Sequence, residues 1–230
     1  MNKTFIKTGT ALLLVSSMSL PLMATQDLLE VDSFEGIELG TGMTGKVVCG
    51  SQNTVTLSAT KKTLDNIEVT VKGGHLEISR RASGSNILNN IFGDDENKED
   101  NSISVVIETS TPLSNIVGST GSVIRVDECA VNNSSIKVEA GTGANIKIEG
   151  NTGVLDLELS TGSVFNSSST EFTVGTANVD MSTGSAANLC GASTIKGSAS
   201  TGAEIRAAEG AMTDDVSLSF GAEVHKKRCR

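Results

Sequence analysis

The chain reads as an all-β protein whose strands coil into a parallel β-helix. Three observations lead there. A phrase of strand, Ser-Thr-Gly corner and strand recurs along the second half. Apolar and polar residues alternate with period two on both sides of it. Gly, Ser, Thr, Asn and β-branched residues are abundant, which disfavours long helices. The copies read Gly118-Ser-Thr-Gly-Ser-Val, Ala140-Gly-Thr-Gly-Ala-Asn, Leu159-Ser-Thr-Gly-Ser-Val, Met181-Ser-Thr-Gly-Ser-Ala, Ala199-Ser-Thr-Gly-Ala-Glu and Leu218-Ser-Phe-Gly-Ala-Glu. Their glycines, Gly121, Gly143, Gly162, Gly184, Gly202 and Gly221, stand 22, 19, 22, 18 and 19 residues apart, which sets rungs of 18–22 residues. Such a period marks a solenoid whose units bury apolar surface only against their neighbours. A β-sandwich is the rival, but it calls for hairpin signals every 8–12 residues or so.

The first element is an address. Lys3 and Lys7 precede the apolar stretch Ala11 to Val15, and Pro21-Leu-Met-Ala24 offers a small residue before Thr25. This is the layout of a secretory signal peptide over residues 1–24, too short and interrupted to span a bilayer. Cleavage is expected after Ala24, although Leu22 is a less usual residue three before the cut. No cysteine stands there to carry a lipid, so no built-in anchor is expected, and no later segment is apolar enough for a transmembrane helix. Residues 25–230 then form one elongated domain.

Phe34-Glu-Gly-Ile-Glu-Leu, Gly45-Lys-Val-Val-Cys, Thr54-Val-Thr-Leu, Ile67-Glu-Val-Thr-Val and Leu76-Glu-Ile-Ser read as successive strands with poorer repeat identity. Terminal solenoid units are atypical because they close an open apolar end. An acidic loop is expected at 83–102, with Ile87, Leu88, Ile91 and Phe92 packing back as a short helical turn. Its run Asp94 to Asp100 lacks the spacing of a calcium loop. From there the repeats align in columns. Five before the glycine stand Ile116, Val138, Leu157, Val179, Gly197 and Val216; three before stand Ala140, Leu159, Met181, Ala199 and Leu218; three after stand Ile124, Ile146, Phe165, Ala187, Ile205 and Val224. Each column is one inward position of a strand. Glycine recurs at the corner because it adopts positive φ freely. The basic tail, His225 to Arg230, closes or overhangs the last rung.

Four cysteines, Cys49, Cys129, Cys190 and Cys229, suit structural disulfides in an exported chain. Four allow three connectivities, and sequence does not choose among them. Cys190–Cys229 is the pairing to try first, because the tail can fold back over the final coils. No C-x-x-C occurs, and His75 and His225 are far apart, so neither zinc nor a thioredoxin-like site is supported. Gly40-Thr-Gly-Met-Thr-Gly45 matches a dinucleotide fingerprint in letters, but a strand follows where a helix is required. No Gly-x-Ser-x-Gly elbow occurs. Four before the glycines, Glu139, Glu158 and Asp180 form an outward column about 5 Å apart. Such a column could hold a divalent cation or serve a polysaccharide-active enzyme. Beside it run Lys137, Asp156, Asn178, Lys196 and Asp215, which favours a solvated face with offset charge. A net charge of −9 and the absence of Trp and Tyr disfavour nucleic acid.

The opening strand phrase at Phe34, the strands at Val55 and Leu76, Thr111-Pro-Leu-Ser-Asn-Ile and the Ser-Thr-Gly rungs together resemble the bacterial head GIN domain family, known by the name putative auto-transporter adhesin. The resemblance covers roughly Val31 to Val224. It implies a right-handed parallel β-helix, exported by bacteria, with no established enzymatic activity. The residues after Gly221 are too few to build a membrane barrel, so literal autotransport is not expected. The reading is therefore an exported β-helical surface or periplasmic protein, not an enzyme, without catalytic residue or cofactor. It is expected to bind an unidentified cell-surface or envelope ligand. Self-assembly into an envelope scaffold through coil ends, and a polysaccharide-active enzyme, are the alternatives.

Overall fold

The computed structural model describes residues 25–81, 102–166 and 172–229. The expected signal peptide and nearly all of the expected acidic loop, including Ile87 to Phe92, lie outside the described residues. Two sheets form the walls of a flattened β-solenoid, and alternation puts one apolar set of side chains between them as a single core. In the regular part each coil contributes one strand to each wall. The first wall takes β8 (Asn115–Gly118), β10 (Asn132–Ala140), β12 (Gly150–Leu159), β14 (Phe172–Met181), β16 (Ala192–Ala199) and β18 (Val216–Leu218). The second takes β9 (Val123–Val126), β11 (Asn145–Ile148), β13 (Val164–Asn166), β15 (Ala186–Leu189), β17 (Glu204–Ala208) and β19 (Glu223–Lys227).

The strands pair in parallel in the register the glycine spacing predicts. Val138, Leu157, Val179, Gly197 and Val216 are successive partners, as are Ile124, Ile146, Phe165, Ala187, Ile205 and Val224. All these residues except Gly197, Val216 and Val224 are buried. Phe165 and Phe172 meet edge to face at 6.0 Å inside the core.

The N-terminal end departs from simple stacking. Its strands are β1 (Thr25–Glu30), β2 (Gly36–Leu39), β3 (Met43–Cys49), β4 (Thr54–Ala59), β5 (Ile67–Lys72), β6 (His75–Arg80) and β7 (Ile103–Thr109). β2 pairs with both β6 and β8, and β3 with both β7 and β9, so the first coil is sandwiched between two later ones. Beyond β6 and β7 the ladder turns antiparallel, with β5 on β6, β4 on β7 and β1 on β4. A single helical turn, α1 (Lys61–Leu64), bridges β4 and β5. Thr60 caps it by accepting from the Thr63 amide, and Leu64 is buried at that end of the core.

Disulfides join Cys49 to Cys129 and Cys190 to Cys229, with Cα separations of 6.0 and 5.7 Å. The first ties the inserted coil to the turn after β9. The second brings the tail back to the end of β15.

Candidate functional site

The corners form one lip of the solenoid. Gly121, Gly143, Gly162, Gly184, Gly202 and Gly221 all take positive φ, between 62° and 77°. Each corner is hydrogen-bonded to the next through the backbone: Gly143 N donates to Thr161 O at 3.0 Å, Gly162 N to Thr183 O at 2.9 Å and Gly184 N to Thr201 O at 3.0 Å. The serine after the glycine turns inward, and Ser163 and Ser185 each donate to the carbonyl three residues back at 2.7 Å. Thr120, Thr142, Thr161, Thr183 and Thr201 remain exposed along the lip. The Gly40 to Gly45 segment is another such corner. Gly42 has φ +68°, and its amide is spent on Thr120 O at 3.0 Å. No pyrophosphate cradle exists there, because the chain runs straight into β3.

The first wall carries the acidic column. Glu139, Glu158 and Asp180 are direct ladder partners, and Ser198 and Ser217 continue the line. In the other direction the column passes through Val117 to Glu38 and Glu77. The carboxylates are already engaged. Lys137 Nζ lies 2.8 Å from Glu139 and 2.9 Å from Glu158, and these hydrogen bonds push its ammonium well above the usual lysine range. Asn178 Nδ2 donates to Asp156 at 2.7 Å, Ser198 Oγ donates to Asp180 at 3.1 Å, and Lys196 pairs with Asp215 at 3.5 Å. Two open grooves run over this face. One, of about 330 Å³, lies between the lip and the column, against Thr41, Thr120, Ser160, Glu139 and Glu158. The other, of about 400 Å³, crosses the rungs against Lys137, Asp156, Asn178, Asp180 and Lys196. Among the described residues no group of three or more His, Cys, Asp or Glu side chains could hold a metal ion. The gap between Glu139 and Glu158 is filled by an ammonium.

The second wall is mixed in charge. Lys46, Arg125 and Lys147 are successive partners, flanked by Asp127 at 3.1 Å from Lys46 and Glu149 at 2.9 Å from Lys147. Farther along, Arg206 pairs with His225, whose Nε2 lies 3.2 Å from Glu223. A hollow of about 190 Å³ opens there over Val164, Ala186 and Asn188. His75 belongs to the other wall, its ring over Gly36, so the two histidines do not share a site.

The model of the family described as "Putative auto-transporter adhesin, head GIN domain" matches residues 33–211. The chain belongs to the head GIN domain family. Among the solved structures that share its fold are two putative adhesins. A putative adhesin from Bacteroides fragilis NCTC 9343 is 16% identical with a TM-score of 0.57, over 89% of this chain and 96% of that one. A putative adhesin from Parabacteroides merdae ATCC 43184 is 10% identical with a TM-score of 0.50, over 90% and 97%. At these identities they establish the fold alone. No curated protein matches the chain.

The head GIN fold brings Glu139, Glu158 and Asp180 together as the repeat spacing predicts. Glu38, Glu77 and the place of Lys46 beside Arg125 and Lys147 escape sequence alignment, because the first coil is inserted out of chain order. The one available signal was Thr41-Gly42, a corner phrase hidden inside the apparent dinucleotide fingerprint.

Proposed function

We propose that this head GIN protein is exported and acts as an adhesin-like binding module without catalysis, presenting its first wall to a polar surface ligand. The observation that carries the reading is the engagement of the acidic column. Glu139 is paired with Lys137 on its own strand, and Glu158 and Asp180 each share an ion pair or hydrogen bond with a neighbouring rung. A general acid–base pair needs carboxyl groups free to move protons at a substrate, whereas a recognition face needs a fixed array of donors and acceptors on a rigid scaffold. The register supplies such an array at about 4.8 Å intervals. The two disulfides and the signal-like first 24 residues support export to the periplasm, the outer membrane or the medium. Among the described residues no helix is long and apolar enough to cross a membrane.

The test combines cell fractionation with N-terminal sequencing, binding of the oxidised protein to intact cells and glycan arrays, and a hydrolysis screen on the same glycans. Export with loss of the leader is expected. Binding should be lost when Asp156 and Asp180 are both changed to Lys, and no glycan should turn over. Retention in the cytoplasm, or turnover that disappears in Glu158→Gln, would overturn the reading.

A further inference from the structure

The last coil is unlike those before it. Leu218 continues the column of Ala140, Leu159, Met181 and Ala199, which are all at most 2% exposed, yet it is 45% exposed. Phe220 occupies the corner place where earlier coils carry threonine and is 84% exposed. It also holds φ +50°, a backbone region that bulky side chains rarely adopt. Met212, on the turn leading into β18, is 61% exposed. These are three of the five exposed large hydrophobic residues among the described ones. β18 and β19 each have one ladder partner, so their outer edges carry unpaired backbone groups. The family match ends at residue 211, just before this coil. Cys229 is bonded to Cys190, which draws the chain away from the exposed edge.

We infer that the last coil is the interface of a closed, tail-to-tail dimer of this chain. A two-fold axis normal to the walls sets the edge strands antiparallel to their copies. β19 is self-complementary in that arrangement. Pairing centred on His225 faces Glu223 with Lys227 of the second copy, and the reverse. Pairing of β18 centred on Ser217 faces Val216 with Leu218 of the second copy. The antiparallel turn carries the Phe220 corner toward the opposite margin of the partner coil, where Met212 stands. Growth beyond two copies is opposed at the other end, where the edge strands β1 and β5 carry Asp27, Glu30, Glu68 and Lys72.

Sedimentation of the oxidised full chain over a wide concentration range tests this, and failure here leaves the wall-binding reading intact because that one is read in glycan and cell binding. A dimer is expected. Leu218→Lys should weaken it by at least about thirtyfold, the size of a hot-spot loss. Phe220→Asn should also weaken it while keeping the melting temperature of the monomer, since Asn tolerates left-handed φ. Ser217→Cys should form a covalent homodimer, and Val106→Thr, on an exposed site of the second wall, should change nothing. A monomer at every concentration, open-ended filaments, or a dimer indifferent to Leu218→Lys and Phe220→Asn would overturn the inference.

Discussion

Replacing Gly184 with Val separates the conformational cost of a corner from its packing cost. Gly184 has φ +62°, and a Cβ added there meets no atom within 4 Å. The hydrogen bond its N–H donates to Thr201 O, at 3.0 Å, is made by the backbone and survives the substitution. The whole penalty is therefore that of an L side chain in the left-handed region, about 1–2 kcal/mol, with β-branching toward the upper end. For a domain of this size that lowers the melting temperature by about 2–8 °C. Gly184→Asn should cost about half as much, because Asn visits this region readily. Gly197→Ala is the contrasting case. Gly197 has φ +118°, and its Cβ would run into the backbone carbonyl of Val179 on the neighbouring rung. Strain and overpacking add there, so the loss should reach about 3 kcal/mol or more. Urea unfolding followed by circular dichroism, with thermal melts on the oxidised proteins, measures all three. If Gly184→Val costs as much as Gly197→Ala, or Asn as much as Val, the corner is limited by packing and the reasoning is wrong.

Glu158→Gln should change stability by no more than about half a kcal/mol, since Lys137 remains paired with Glu139 at the exposed face. Calcium should raise the melting temperature of neither wild type nor variant; a rise confined to wild type would reveal a cation site. Lys137 titrates above its ordinary value of 10.5, so its contribution is fully present below that pH and is lost only as pH rises through the raised value. Lys137→Gln should accordingly melt below wild type by a gap that is constant from about pH 6 to 9 and closes only in strong alkali. The Cys190–Cys229 and Cys49–Cys129 disulfides, spanning 39 and 80 residues, have chain-entropy contributions of up to about 4 and about 4.5 kcal/mol. Changing Cys49 and Cys129 to Ser should lower the global melting temperature. Changing Cys190 and Cys229 to Ser should mainly free residues 216–229 to limited proteolysis. Identical proteolysis patterns for the two variants would show that the tail bridge does not pin the last coil.

The solenoid is legible in the sequence because its restraints are local and repeated. A corner that demands positive φ selects glycine at every turn, and a strand with one buried face alternates with period two. Aligning Gly121 to Gly221 thus recovers the ladder register from β8 to β19, including the partnership of Glu139, Glu158 and Asp180. Gly197 stood out as a gap in an apolar column, but its cause is a carbonyl 18 residues away, which no local pattern carries. The same limit hid the order of the N-terminal coils. β2 and β3 insert between later coils and β4 and β5 turn antiparallel, choices settled by long-range pairing and by the need to close the end of the core. Charge behaved likewise. The residue types of the acidic column were readable, whereas its neutralisation by Lys137, its extension to Glu38 and Glu77, and the bare apolar edge at Leu218 and Phe220 arise from which rungs become neighbours. Local chemistry specified the rung, and the free energy of burying each rung against another specified the stack.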